Sequence, residues 1–156
     1  MTKRNPYKQG RYTPIHPEKY VGKHDPIYRS SFELRVFTFL DYSENVVNWA
    51  SEPFSIPYFY NTTKDGTPIW HQYFPDLIFT IKMPDESLVG YLAEIKPYDQ
   101  TIPPKQPKTS TKKYQVMLEL YIKNMSKWKF AKEFCDKKNM KFKLFTEKEI
   151  FRRGVE

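Results

Sequence analysis

The chain has 156 residues, 39% hydrophobic and 28% charged, with a formal net charge of +8, enough for one domain with an ordinary core. No apolar run approaches the length that a bilayer crossing needs, and the single cysteine, Cys135, excludes an intramolecular disulfide and a cysteine-cluster zinc site, so a soluble protein of a reducing, cytoplasmic compartment is expected. Charge is segregated: residues 1–30 carry seven Lys/Arg against two acids, residues 31–100 four against ten, and residues 101–156 fifteen against six.

Basic flanks around an acidic centre suit a protein that grips a polyanion and holds a metal at its middle, although lysine-rich helix faces also serve solubility. Residues 1–29, rich in Pro, Tyr, Lys and Arg without periodicity, read as an extended basic arm with little regular structure. Tyr7, Tyr12, Tyr20 and Tyr28, interleaved with Lys and Arg in that arm, are the better aromatic candidates for stacking on bases. The domain is expected to run from 30 to 156. It opens with Ser30-Ser31-Phe32-Glu33, a capping-box pattern, after which Phe32, Val36, Phe39 and Leu40 recur at helical spacing to about Asp41.

The stretches 46–49 and 54–60, β-branched and aromatic, read as strand, and Asn61 to Gly66 supplies the turn chemistry of a hairpin. Residues 69–74 and 77–81 read as one further strand interrupted at Pro75, which lacks a ladder donor. After a turn at 83–87, residues 88–96 return antiparallel, ending at Lys96-Pro97. Residues 97–111 hold four prolines and read as a long irregular segment beside the hairpin's open end. A helix is expected from Lys112 to about Asn124, with Val116 and Leu120 facing inward. A second helix is expected to run from a Ser126 cap through Lys137, with Trp128, Ala131, Phe134 and Cys135 as its apolar stripe. Residues 140–145 alternate as a strand, and Thr146 to Glu149 is a second capping box that opens a terminal helix. Helix, antiparallel strands, helices, strand and helix in that order predict a mixed α/β (α+β) domain with one mixed central sheet flanked by helices.

The hairpin carries the chemistry. Asp76 follows Pro75, and Glu94-Ile95-Lys96 lies on the returning strand, so two carboxylates can face each other while Lys96, two residues after Glu94, projects to the same face. Ile95 points the other way, into the core. Magnesium is a hard octahedral cation that takes one or two protein carboxylates and fills its other positions with water and phosphate oxygens. The bland alternatives are a solvated turn aspartate and an alternating polar edge strand. Glu33 has a backbone role at the third position of its capping box and can also supply a third carboxylate, directly or through water. His16, His24 and His71 show no ligand spacing to one another.

Glu33, Pro75-Asp76 and Glu94-Ile95-Lys96, set on a helix, strand and hairpin in that order, resemble the PD-(D/E)XK nuclease superfamily with its restriction-endonuclease-like fold. The stretch from Ser31 through Pro53, Tyr73-x-Pro75-Asp76, Glu94-Ile95-Lys96-Pro97 and Trp128 to Phe145-Thr146-Glu147 is similar to transposon end-cutting nucleases and to head-completion nucleases of T-even-like tailed bacteriophages. The resemblance covers about residues 28–150. It implies a divalent-metal-dependent DNA endonuclease that leaves a 5′-phosphate, with Asp76, Glu94 and the Ile95 carbonyl on Mg²⁺ (Mn²⁺ as a substitute), Glu33 completing the shell and Lys96 at the attacking water or the phosphate. In a phage the implied role is processing packaged DNA before tail joining, with head or neck proteins as partners and the host cytoplasm or the virion as setting.

Arg11, Arg29, Lys105, Lys108, Lys112 and Lys113, in the arm, the proline-rich segment and the start of the helix after it, are expected to hold backbone phosphates. Cutting both strands with one site per chain would call for a transient homodimer. The competing readings are a transposon-type end-cutting nuclease, and a non-catalytic DNA-binding or capsid-neck protein whose acids make ordinary salt bridges.

Overall fold

The computed structural model describes residues 9–149. Its centre is a four-stranded mixed sheet in the order β3–β6–β7–β8. These strands are Val46–Ser51, Leu77–Lys82, Leu88–Ile95 and Lys141–Phe145. β3, β6 and β7 pair antiparallel and β8 lies parallel to β7. A parallel neighbour needs a crossover, and the helix α2, Lys112–Lys137, supplies it. The fold class is therefore the expected one, a mixed sheet with helices packed on it.

Alternation along the strands sends side chains to two separate cores. On one face Leu77, Phe79, Ala93 and Ile95 pack with Val36, Phe37 and Leu40 of the helix α1, Ser31–Tyr42. On the other, Leu92 packs with Trp128, Ala131 and Cys135 of α2 and with Ile56, Tyr58 and Tyr73. The last three belong to a separate antiparallel ribbon of β4, Ile56–Tyr58, and β5, His71–Tyr73. Its connection turns at Asp65-Gly66, where Gly66 sits at φ +87°, a conformation that glycine adopts without steric cost.

The structure departs from the sequence reading at several places, the smallest being Phe39 of α1, which is 48% exposed. Residues 69–74 and 77–81 are not one interrupted strand: β5 and β6 lie in different sheets, and the buried Pro75 with Asp76 forms the bend between them. Lys112 to Lys137 is one helix, because no glycine or proline interrupts it and Asn124 is buried within it. Ser126 therefore caps nothing.

Val116 and Leu120, expected inward, are 58% and 48% exposed. A helix of 26 residues spans about 39 Å and overruns a sheet whose longest strand has eight residues, about 27 Å; only the half holding Asn124, Trp128, Ala131 and Cys135 is buried.

Residues 9–29 have little regular structure, only two-residue strands β1, Gly10–Arg11, and β2, Ile27–Tyr28, and one 3-10 turn, yet they are bound to the domain. Tyr12, Tyr20 and Tyr28 pack against the α1 core, with Tyr12 and Tyr20 on Trp49 at ring separations of 6.1 and 4.7 Å. These three rings serve packing instead of the base stacking expected of them, and Tyr7 lies outside the described residues. At the other end the second capping box forms as expected, Thr146 N–H and hydroxyl donating to the Glu149 carboxylate at 2.7 and 2.6 Å. Residues 147–149 are helical, and the rest of the expected terminal helix lies outside the described residues. Among the described residues no helix is long and apolar enough to cross a membrane.

Candidate active site

The antiparallel register between β6 and β7 assembles the site. Leu77 pairs with Ala93, so one step further Asp76 stands opposite Glu94 with both side chains on one side. The two carboxylates are within hydrogen-bond reach of each other. Asp76 Oδ2 also accepts the Ile95 N–H at 2.8 Å, and the Asp76 carbonyl accepts the Glu52 N–H at 2.9 Å, which fixes the bend after Pro75.

Glu94 is 6% exposed. Its Oε2 accepts the Tyr73 hydroxyl at 2.6 Å, and the Lys96 ammonium lies 3.6 Å from its Oε1. Burial, and next the charge of Glu94, push Asp76 up to about 8, against weaker help from the Ile95 N–H and Lys96. Glu94 is itself raised by burial, opposed by Tyr73, Lys96 and Lys127. Both carboxyls are thus driven toward protonation and titrate as a pair. Two closely set acids with too few donors are a demand for positive charge.

Only half of the first capping box forms as expected: Ser30 caps Glu33, but the Glu33 carboxylate reaches the N–H of Arg29, one residue before the cap, and not that of Ser30. The Ser30 hydroxyl accepts the Glu33 N–H at 3.1 Å, and Glu33 Oε2 accepts the Arg29 N–H at 2.7 Å. Glu33 also lines one cleft with Asp76, Ile95, Arg29, Ser51 and Glu52, and its charge adds to what raises Asp76. Among the described residues no three Asp, Glu, His or Cys side chains gather as a metal cluster; the tight group is the pair. Ile95 packs in the α1 core, as expected.

Arg29 is bound at 2.5 Å to Glu52, which holds it beside this cleft. Arg11 lies on the surface 3.6 Å from Asp25. Lys105, Lys108, Lys112 and Lys113 are exposed, the first two on the irregular segment and the others opening α2. The base of that segment is tied down: Tyr98 N–H donates to Glu147 at 2.9 Å, and the Lys148 ammonium sits 3.3 Å from the Tyr98 ring centre.

Three neighbours of the site were not assigned a role from sequence. Tyr73 has one signal in the sequence, its place in the run Tyr73-x-Pro75-Asp76. Glu52 adopts φ 45°, rare for a residue with a side chain, and sequence offered only the Pro53 after it. Lys127 reaches the site from α2, 33 positions beyond Glu94, and its spacing of four from Lys123 was the legible trace.

The comparisons agree with this geometry. Residues 43–147 match the family described as TnsA-like endonuclease N terminal. The chain belongs to that family. It is also 36% identical over 143 residues to the head completion nuclease of Enterobacteria phage T4, covering 88% of this chain and 90% of that protein. The matched span contains Asp76, Glu94, Lys96 and Lys127, while Glu33 lies ahead of it. The sequence resemblance to PD-(D/E)XK nucleases is upheld by both findings, and the chain is a nuclease.

Proposed function

We propose that this chain is a divalent-metal-dependent DNA endonuclease that acts in phage head completion. The observation that carries the catalytic reading is the Asp76–Glu94 pair, Glu94 buried and Asp76 half-buried, short of donors, with Lys96 3.6 Å from Glu94; the biological role follows the phage relative. The donor set fits a hard cation: two carboxylates, with the Ile95 carbonyl as a third oxygen, suit Mg²⁺, which needs few protein ligands, and Mn²⁺ as a substitute. When bound, such an ion supplies an acidified water and charge neutralisation at a phosphate.

The chain's own residues prepare that chemistry. Tyr73 donates to Glu94 Oε2 and fixes which edge of the carboxylate faces outward. The Ile95 N–H does the same for Asp76. Lys96, 27% exposed along its side chain, can turn from Glu94 to a phosphate oxygen or the attacking water, offsetting negative charge as the phosphate is attacked. Glu33, across the cleft, would hold a water there. Arg11, Arg29, Lys105, Lys108, Lys112 and Lys113 would add backbone contacts of low sequence preference. Head or neck proteins and a transient second copy are the partners this role calls for.

The test is supercoiled plasmid incubated with the protein and Mg²⁺, beside EDTA, Asp76→Ala and Lys96→Ala controls. Nicking that requires the ion and both side chains is the expected result. Intact plasmid with folded wild-type protein sinks the nuclease reading, and nicking that survives Asp76→Ala sinks the site.

A further inference from the structure

One face of α2 points two lysines at an aromatic ribbon that ends in the active site. The Lys127 ammonium lies 5.8 Å from the Tyr58 ring centre and 5.7 Å from that of Tyr73. One turn earlier, the Lys123 ammonium lies 5.9 Å from the Tyr60 ring centre. The rings form a ladder: Tyr58 is near-parallel to Tyr60 at 6.3 Å, and Tyr60 to His71 at 5.3 Å. Tyr73 at its end donates to Glu94.

Both lysines are half-buried, and neither has a carboxylate within salt-bridge distance among the described residues. Ring faces orient an ammonium but offer its N–H donors no acceptor, which leaves them to solvent. Partial burial of a cation costs free energy, and two cations side by side repel each other. Lys127 is pushed down by burial, then by Lys123, with Lys96 adding to the repulsion and Glu94 and Asp76 opposing it. Stability alone does not account for a row of three like charges, Lys123, Lys127 and Lys96, leading to one carboxylate pair. A polyanion laid along them does.

We propose that Lys127 and Lys123 bind successive phosphates of the strand that is cut, Lys127 next to the scissile phosphate and Lys123 one step farther out along the β4–β5 ribbon. This rests on the nuclease reading of Asp76 and Glu94. The lysines are four residues apart, about 6 Å along the helix axis, which side chains of this length match to neighbouring phosphates. The tyrosine faces act as rails that hold the ammonium groups in place before DNA arrives, lowering the ordering cost of binding. The strand would thus approach over the α2 face of the sheet, in addition to whatever contacts the proline-rich segment and the arm make.

The experiment measures affinity for a short labelled DNA duplex in EDTA, where nothing is cut, across a salt series. It uses the full chain and Lys127→Met, Lys123→Met, Lys127→Arg and, as control, Lys132→Met, an exposed α2 lysine. Methionine keeps much of the packing stem without the charge. Each of the two track substitutions is expected to lower the slope of log affinity against log salt by about 0.9, with Lys127→Arg restoring it and Lys132→Met leaving it near wild type. A shift in melting temperature with the slope unchanged would mean that the lysines merely balance Glu94, and overturns the proposal. Lys123→Met keeps the test decisive if Lys127→Met does not fold. If Asp76→Ala still cuts plasmid, the underlying site assignment has failed; if it does not cut and the slopes are unchanged, the phosphate track alone has failed.

Discussion

Two aspartates, Asp41 and Asp76, show what burial of a carboxylate means. Asp41, at the end of α1, is fully buried and saturated: it accepts from the Tyr12 hydroxyl at 2.5 Å, the Ile15 N–H at 2.7 Å and the His16 N–H at 3.0 Å. Burial pushes its carboxyl up, but those hydrogen bonds outweigh it and the net shift is downward. Asp76 has one N–H donor and a second carboxylate beside it, and is pushed far up. Asp41 is a clasp for the arm, since Lys19 also donates to the Asp41 and Ser43 carbonyls at 2.8 and 2.6 Å. The difference is the donor count: a satisfied buried acid holds structure together, and a pair of acids short of donors is the arrangement that a cation would relieve.

The largest effect should come from the unsatisfied pair. Asp76→Asn should reduce Mg²⁺-dependent plasmid cleavage at least about 100-fold, since even outer-shell partners of metal ligands cost 10–100-fold. The same substitution should stabilise the metal-free protein at alkaline pH, and the sign follows from linkage. A carboxyl raised from 3.8 to about 8 on folding binds more protons in the folded state between those values. Its contribution is therefore fully present below pH 3.8 and is lost as pH rises through about 8. Thermal melts in EDTA at pH 6 and pH 9 should show Asp76→Asn gaining on wild type at the higher pH, and added Mg²⁺ should raise the wild-type melting temperature more at pH 9. A variant equally stable relative to wild type at both pH values would put Asp76 in the same class as Asp41.

Asp41→Ala should do the reverse. Leaving a buried donor unpaired costs about 1–3 kcal/mol, and the three donors to Asp41 are part-buried, so a loss of roughly 3 kcal/mol in urea unfolding is expected from the low end of that range, while cleavage per folded molecule stays at wild type. Its pH dependence is also opposite in sign: the contribution of Asp41 is present above pH 3.8 and lost as pH falls through its lowered folded value. Cleavage that fails in Asp41→Ala at full foldedness would show that the arm takes part in the reaction.

How legible each aspartate was follows from how local its contacts are. Asp76 could be read because Pro75 marks the bend and one hairpin sets Glu94 opposite, so period-two alternation fixed which side chains meet. Nothing in the sequence pairs Asp41 with Tyr12, 29 positions earlier, and a Pro- and Tyr-rich stretch gave no period by which to see it fold back. Lys127 was hidden for a third reason. Helical spacing marks faces of α2, but the end of the sheet decides which half of the helix is covered, and so Val116 and Leu120 were expected inside while the turn that carries Lys123 and Lys127 toward the site went unassigned. Local order set the elements; the crossover that lays α2 on the sheet set the site's far wall.

Tyr73→Phe is a finer probe of the unsatisfied side. It removes the one hydroxyl that donates to Glu94 Oε2 and little volume, so the ring contacts with Tyr58 and Lys127 remain. Activity should fall about tenfold, the low end for an outer-shell partner, equal to about 1.4 kcal/mol on the barrier. Steady-state cleavage over a Mg²⁺ titration should show the loss partly as weaker apparent metal affinity. A wild-type titration curve would mean that Glu94 needs no orienting donor.

Glu33 lies between the two classes, and its two duties can be separated. Its carboxylate accepts the Arg29 N–H while Ser30 accepts its own N–H, which is the satisfied, structural pattern of Asp41, yet it also shares the cleft with Asp76. Glutamine keeps an acceptor oxygen for Arg29 and removes the charge, so Glu33→Gln should change stability by less than about 0.5 kcal/mol, while Glu33→Ala, which loses that half of the cap, should cost about 1 kcal/mol. If Glu33 holds a water in the site, both variants cut more slowly, by about tenfold, although only one is destabilised. Wild-type cleavage by Glu33→Gln would reduce Glu33 to a cap and leave Asp76 and Glu94 as the acids of the reaction.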